Sequence, residues 1–264
     1  MRVAFIGGGN MAGALIGGMR QAGFKSSEMN VLEIDVARGA ELTARHSVTT
    51  HPQAGDWLQA SEVIVLAVKP QQIREAAASI KPYLARPLVL SIAAGVRAHT
   101  ISEALATGHV VRAMPNMPAL IRAGITAATA LPAVSAPEKD NADRILSAVG
   151  AVIWLDDETM LDAVTALSGS GPAYVFYFIE AMHKVALEMG FDQQQARALT
   201  LHTFAGASEL ALQSQESAAS LREKVTSKGG TTAAALASFD QDKVDAAIAR
   251  AVRAAAARAR ELGS

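Results

Sequence analysis

Apolar residues fall into two unlike patterns along the chain. Up to about Asp157 they gather in short, β-branched runs at 3–6, 31–34, 63–68, 88–92, 110–113, 125–130 and 152–155, each of which reads as a strand. Several runs are continuous rather than alternating, as expected of parallel strands covered on both faces. Helix-like stretches such as 11–21 and 71–83 lie between them. This alternation predicts a doubly wound α/β domain with a mostly parallel sheet.

Beyond about Glu158 the strand signal stops and Ala, Leu, Gln, Glu and Arg take over, all good helix formers. Breaks are expected at 168–172, near Gly190 and at 228–230. In the last segment, 244–262, Val244, Ile248 and Val252 share one stripe, and the arginines Arg250, Arg253, Arg258 and Arg260 read as a solvated face. The expected organisation is a doubly wound α/β domain over 1–158 and an all-α domain over 159–264.

Composition narrows the function classes. There are 24 Lys and Arg against 25 Asp and Glu, a formal net charge of −1, so the basic excess that a nucleic-acid partner calls for is missing. With no cysteine, disulfides, thiolate nucleophiles and Cys-based zinc sites are excluded, and the six histidines show no paired metal-ligand spacing, so no metal is expected. No apolar stretch approaches the roughly 20 residues of a membrane helix, and the residues after Met1 hold no secretory core, so a cytoplasmic protein is expected.

The first strand, ending at Ile6, runs into Gly7-Gly8-Gly9-Asn10-Met11-Ala12, which fits G-x-G-x-x-A between a strand and a helix. Gly7 permits the tight turn, Gly9 lets backbone approach a pyrophosphate, and Ala12 keeps the helix close to the sheet. An acidic residue is expected at the end of the second strand, and both Glu33 and Asp35 qualify. Asp35 is assigned to the adenosine ribose 2′-OH. That assignment predicts use of NADH at least comparable to NADPH, and a shift toward NADPH in Asp35→Ser.

Other polar turns also follow apolar segments. Ala67-Val68-Lys69-Pro70 and Met114-Pro115-Asn116-Met117-Pro118 stand at strand ends, where ligands of open α/β sheets bind. Ser168-Gly169-Ser170-Gly171-Pro172 does not satisfy a nucleophile elbow and reads equally as a helix start. Thr226-Ser227-Lys228-Gly229-Gly230-Thr231-Thr232 opens an Ala-rich helix and offers a donor-rich terminus suited to a substrate carboxylate, or a simple cap.

Six segments in this order resemble the pyrroline-5-carboxylate reductase family: FIGGGNMA, AVKP, SIAAG, RAMPNMP, LSGSGPAY and VTSKGGTTAAAL. The resemblance spans essentially the whole chain. It implies a Rossmann domain that carries NADPH or NADH, and a helical domain that pairs with a second copy as a homodimer, often assembled further into a decamer. It also implies reduction of L-1-pyrroline-5-carboxylate to L-proline. By this resemblance Ser227, Gly229, Gly230, Thr231 and Thr232 surround the substrate, with Thr232 as the hydroxyl at the ring nitrogen. Ala67, Val68, Lys69, Pro70, Ala93, Ala94, Gly95, Met114, Pro115 and Asn116 line the cofactor, beside Ile6 and the glycine turn. The chain departs from the family at Met117, where a threonine is usual, at its acidic Glu33 and Asp35, and at Ala54, where an asparagine is frequent. Related imine reductases and β-hydroxyacid dehydrogenases share this layout, but the dehydrogenases' lysine position is Val175 here. A dinucleotide-responsive regulator is the non-enzymatic alternative.

Overall fold

In the computed structural model, which describes residues 1–263, eight strands form one sheet in the order β3-β2-β1-β4-β5-β6-β7-β8. They are β1 (Val3–Ile6), β2 (Met29–Leu32), β3 (Thr49–His51), β4 (Val63–Leu66), β5 (Leu88–Ser91), β6 (Val110–Met114), β7 (Gly124–Ala130) and β8 (Gly150–Trp154). Every neighbouring pair is parallel except β6 with β7. Ile6 stands level with Leu32 of β2 and Leu66 of β4. The carboxyl ends of these three strands therefore open together at the point where strand order reverses, which is where such sheets place ligands.

Burial on both faces explains the continuous apolar runs. Val3 and Phe5 pack with Leu15, Ile16 and Met19 of α1 (Asn10–Gln21) and with Ile145 of α5 (Ala136–Ser147). Ala4 and Ile6 point the other way, to Ile73 and Ile80 of α3 (Ile73–Ile80) and Ile101 of α4 (Ala98–Leu105). The second strand lies two residues earlier than its hydrophobicity suggests, because Ile34 is outside the sheet and 74% exposed. β3 is a three-residue edge strand, Thr-Thr-His, with no apolar run to announce it, and α2 (Val36–His46) precedes it.

The expected break at 168–172 is a change of helical pitch. After α6 (Met160–Val164) the chain widens through Thr165–Gly169, closed by a bond from Ser170 N–H to Thr165 O at 2.8 Å. Such wide turns are rare and recur at functional positions. α7 (Gly171–Glu188) follows directly.

Two compact units result. The first comprises 1–170 together with the chain from Ala255 on, and the second 171–254; the change in sequence texture lies earlier, near 158. The second unit contains α7, α8 (Gln193–Gln213), α9 (Ala218–Lys224), α10 (Thr231–Gln241) and the start of α11 (Val244–Leu262). Gly190, with φ of +94°, ends α7, and a reciprocal Asp192–Gln195 capping box starts α8. Within this unit only Ala196 and Thr200 are buried, while Phe176, Tyr177, Met189 and Leu212 are 55%, 72%, 72% and 82% exposed. Such a unit has almost no core of its own. Among the described residues, no helix is long and apolar enough to cross a membrane.

Candidate functional site

The three turn glycines are required for different reasons. Gly7 holds φ of +97°, and a Cβ there would lie 2.9 Å from Ala67 O. At Gly8 a Cβ would strike the Leu42 side chain and come within 2.9 Å of Glu33 Oε2. At Gly9 nothing stands within 4 Å. Gly9 is also the N-cap of α1 and supplies no side-chain bond, so the first N–H groups of that helix are open to an anion. The turn borders a cavity of about 540 Å³, walled by Glu33 and Pro52 on one side and by Ala67 and Val68 on the other. An open helix end beside a cavity at the sheet's switch point fits the diphosphate and adenosine half of a nicotinamide dinucleotide.

The two acidic candidates separate clearly. Glu33 is 7% exposed, and its Oε2 accepts from Gly8 N–H at 2.9 Å while Oε1 accepts from Asp35 N–H at 2.9 Å. Asp35 is exposed, and its Oδ1 caps α2 by accepting from Ala37 and Arg38 N–H at 3.0 and 3.2 Å. Arg38 Nη1 stands 3.8 Å from Glu33 Oε2. Next to Pro52, burial pushes the His51 imidazole below its ordinary value, and the ring stacks on Trp57 at 4.0 Å.

The remaining sequence candidates spread along the sheet's carboxyl edge. Asn10 is exposed, Met11 half-buried, and Ala12 is buried in the core, where α1 meets the sheet. Lys69 is exposed and Pro70 begins the short helical turn Pro70–Gln72 leading into α3. Ala94 is exposed, and Gly95, with φ of +77°, sits under the end of α11, where a Cβ would approach Leu262 O to 3.2 Å. Asn116 is buried and largely committed to the protein: Oδ1 accepts from Ile125 N–H at 2.9 Å and Nδ2 donates to Ser168 O at 3.1 Å. That second bond joins the Met114–Met117 loop to the wide helical turn, and Met114 also covers Gly169.

In the second unit, the 226–232 segment is a turn closed by Gly230 N–H to Ser227 O at 3.0 Å, with Gly229 at φ of +72°. A Cβ on Gly230 would collide with Ser227 Oγ. Gly230 is the N-cap of α10 and provides no side-chain bond. Ser227 and Thr231 are exposed and Thr232 is half-buried at the first turn of that helix.

One constellation had no warning in the apolar pattern. Arg112 lies in β6 at 3% exposure and donates from Nη1 to Glu158 Oε1 at 2.8 Å, with Asp162 Oδ1 4.0 Å from Nη2. Arg97 Nη2 donates to Asp162 Oδ2 at 2.7 Å, and Glu158 Oε1 also accepts from Ala98 N–H at 2.8 Å. The available signal was a lone arginine inside a strand otherwise buried. Among the described residues, no group of three or more His, Asp or Glu side chains is arranged to hold a metal.

Residues 158–262 match the family described as pyrroline-5-carboxylate reductase dimerisation, and residues 2–95 match NADP oxidoreductase, coenzyme F420-dependent. A pyrroline-5-carboxylate reductase of Pseudomonas aeruginosa is 40% identical over 263 residues, covering 99% of this chain and 96% of that protein. The chain belongs to the pyrroline-5-carboxylate reductase family. A solved reductase of this family from Coxiella burnetii superposes with a TM-score of 0.94 at 36% identity, covering 100% of this chain and 98% of that one. The Plasmodium falciparum pyrroline carboxylate reductase, solved with NADP bound, gives 0.89 at 27% identity, covering 100% and 98%.

Proposed function

We infer that this chain reduces L-1-pyrroline-5-carboxylate to L-proline with NADPH or NADH, in the cytoplasm. The observation that carries the reading is near-full-length similarity to reductases of this name, joined to a glycine turn whose open helix end borders a cavity. Bound reduced nicotinamide supplies the hydride that the imine carbon receives. The protein's own work is to orient two rings, bind one carboxylate and satisfy one nitrogen. The uncapped start of α10 and the hydroxyls of Ser227 and Thr231 suit the carboxylate. Thr232 is the candidate donor at the ring nitrogen. A hydroxyl is a weak acid at its ordinary pKa, so the proton comes with the protonated imine or through water, and Thr232 holds the nitrogen.

The test is absorbance loss at the nicotinamide band with pyrroline-5-carboxylate and either cofactor, together with proline formation. No proline above a heat-killed control sinks the reading, and dinucleotide binding without turnover favours a regulator instead. Thr232→Val keeps nearly the same volume, so it should fold normally and lose roughly 10- to 100-fold in kcat, about 1–3 kcal/mol. Wild-type kinetics in the folded variant would remove Thr232 from the mechanism.

The same reading includes a homodimer that assembles further, up to a decamer. The second unit's lack of a core supports it, since its exposed aromatic and aliphatic side chains need a partner to cover them. Light scattering should give a dimer or larger at all working concentrations; a fully active monomer would contradict this.

A further inference from the structure

At the carboxyl end of β2 the fold gives two carboxylates different tasks, and this bears on which dinucleotide the chain takes. Asp35 lines the cavity, but it is exposed and its Oδ1 is committed to the first N–H groups of α2. Glu33 sits in the cavity wall against the phosphate-binding turn. We propose that Glu33, not Asp35, is the residue that selects the cofactor, receiving the adenosine ribose diol and turning away a 2′-phosphate, so that NADH is preferred. The proposal rests on the reading that this cavity takes the adenosine half of a nicotinamide dinucleotide.

The argument starts from lone pairs. An ionised carboxylate offers about four acceptor positions, and Gly8 and Asp35 N–H use two of them. The remainder suit two hydroxyl donors of a ribose. A 2′-phosphate presents no such donors and carries a charge of the same sign, in a wall where Glu33 is largely shielded from water.

Glu33 is also unable to step aside. Each carboxylate oxygen holds one backbone N–H, so a rotamer change would strand the buried Gly8 donor and the Asp35 donor together. It is packed as well, since its Oε2 and Cγ fill the space where a Gly8 side chain would go. Arg38 and Lys69 are the cations lining the cavity, and Arg38 stands 3.8 Å from Glu33 with half its side chain in solvent. Part of the Arg38 charge is offset by Glu33, which weakens its pull on a 2′-phosphate. An exposed acidic side chain could swing away to admit NADPH; one clamped at both oxygens cannot.

The experiment measures dissociation constants of NADH and NADPH on the intact protein by nicotinamide fluorescence, with kcat/KM ratios alongside. The wild type should bind NADH at least about 10-fold more tightly than NADPH. Glu33→Gln keeps the shape and a bond to Gly8 while removing the charge, and should move the ratio toward NADPH by about 10-fold or more. Glu33→Ser should move it in the same direction. Asp35→Ser should lower the melting temperature through the weakened cap but leave the ratio within about 3-fold of wild type. Tighter NADPH binding by the wild type, or a ratio that follows Asp35 and ignores Glu33→Gln, overturns the proposal. Failure of both dinucleotides to bind would instead overturn the reading of the cavity.

Discussion

Arg112→Met should lower stability by about 1.5–3 kcal/mol, measured by urea unfolding at fixed protein concentration. The guanidinium is 3% exposed and serves two carboxylates, Glu158 at 2.8 Å and Asp162 at 4.0 Å. Methionine fills much of the volume but leaves Asp162 with Arg97 and Glu158 with the Ala98 N–H. The loss comes from removing a charge-assisted hydrogen bond to the half-buried Glu158 and weakening the field at the buried Asp162, and it is limited by the contacts that both carboxylates keep. Adding Glu158→Gln to Arg112→Met should recover part of the loss, a coupling that a double-mutant cycle reads directly. Function should fall too, because Glu158 also holds Ala98 N–H, just after the Ala94–Gly95 turn, and Arg112 stands just before the Met114–Asn116 loop. A loss below about 1 kcal/mol would mean that water relaxes around the carboxylates and that the network is not a keystone.

Most of this fold was visible in the sequence because its strands are buried on both faces. A run such as 63–68 announces its strand by being apolar throughout, although the strand itself ends at Leu66 and Ala67 and Val68 pass into the cavity wall. β3 was invisible for the opposite reason: an edge strand of three half-exposed residues needs no apolar side chains. The 168–172 segment, rich in glycine and serine, reads as a break or a helix start, yet it continues a helix by widening its pitch, since Ser170 N–H reaches back to Thr165 O. The glycine turn was legible from spacing, but the division of labour between Glu33 and Asp35 was not. Two residues apart at the end of a strand, both carboxylates are plausible by position. Which one turns inward depends on Gly8 N–H being within reach of the first and on α2 needing a cap from the second. Arg112 was missed because charge inside a strand looks like an edge until Glu158 and Asp162, 46 and 50 residues later, arrive beside it.

Gly9→Ala should leave the free protein as stable as wild type or slightly more so, and weaken dinucleotide binding by about 100-fold, roughly 2.7 kcal/mol. Its backbone sits at φ of −67° and ψ of −179°, which alanine adopts without strain, and no atom lies within 4 Å of the added carbon. Restricting the unfolded chain at such a position adds about 0.4–1 kcal/mol of stability. The space beside Gly9 is therefore not needed by the fold, and what remains to explain a glycine there is a ligand. A methyl at the N-cap of α1 would stand between a diphosphate and the first free N–H groups of the helix. Gly8→Ala is the contrasting case. Its side chain must displace Leu42 and the Glu33 carboxylate, so it should lose stability before any ligand is added. Thermal unfolding without dinucleotide, followed by fluorescence titration with it, separates the two variants. If Gly9→Ala binds as wild type does, the diphosphate is seated elsewhere along the cavity and the turn serves only to connect β1 to α1.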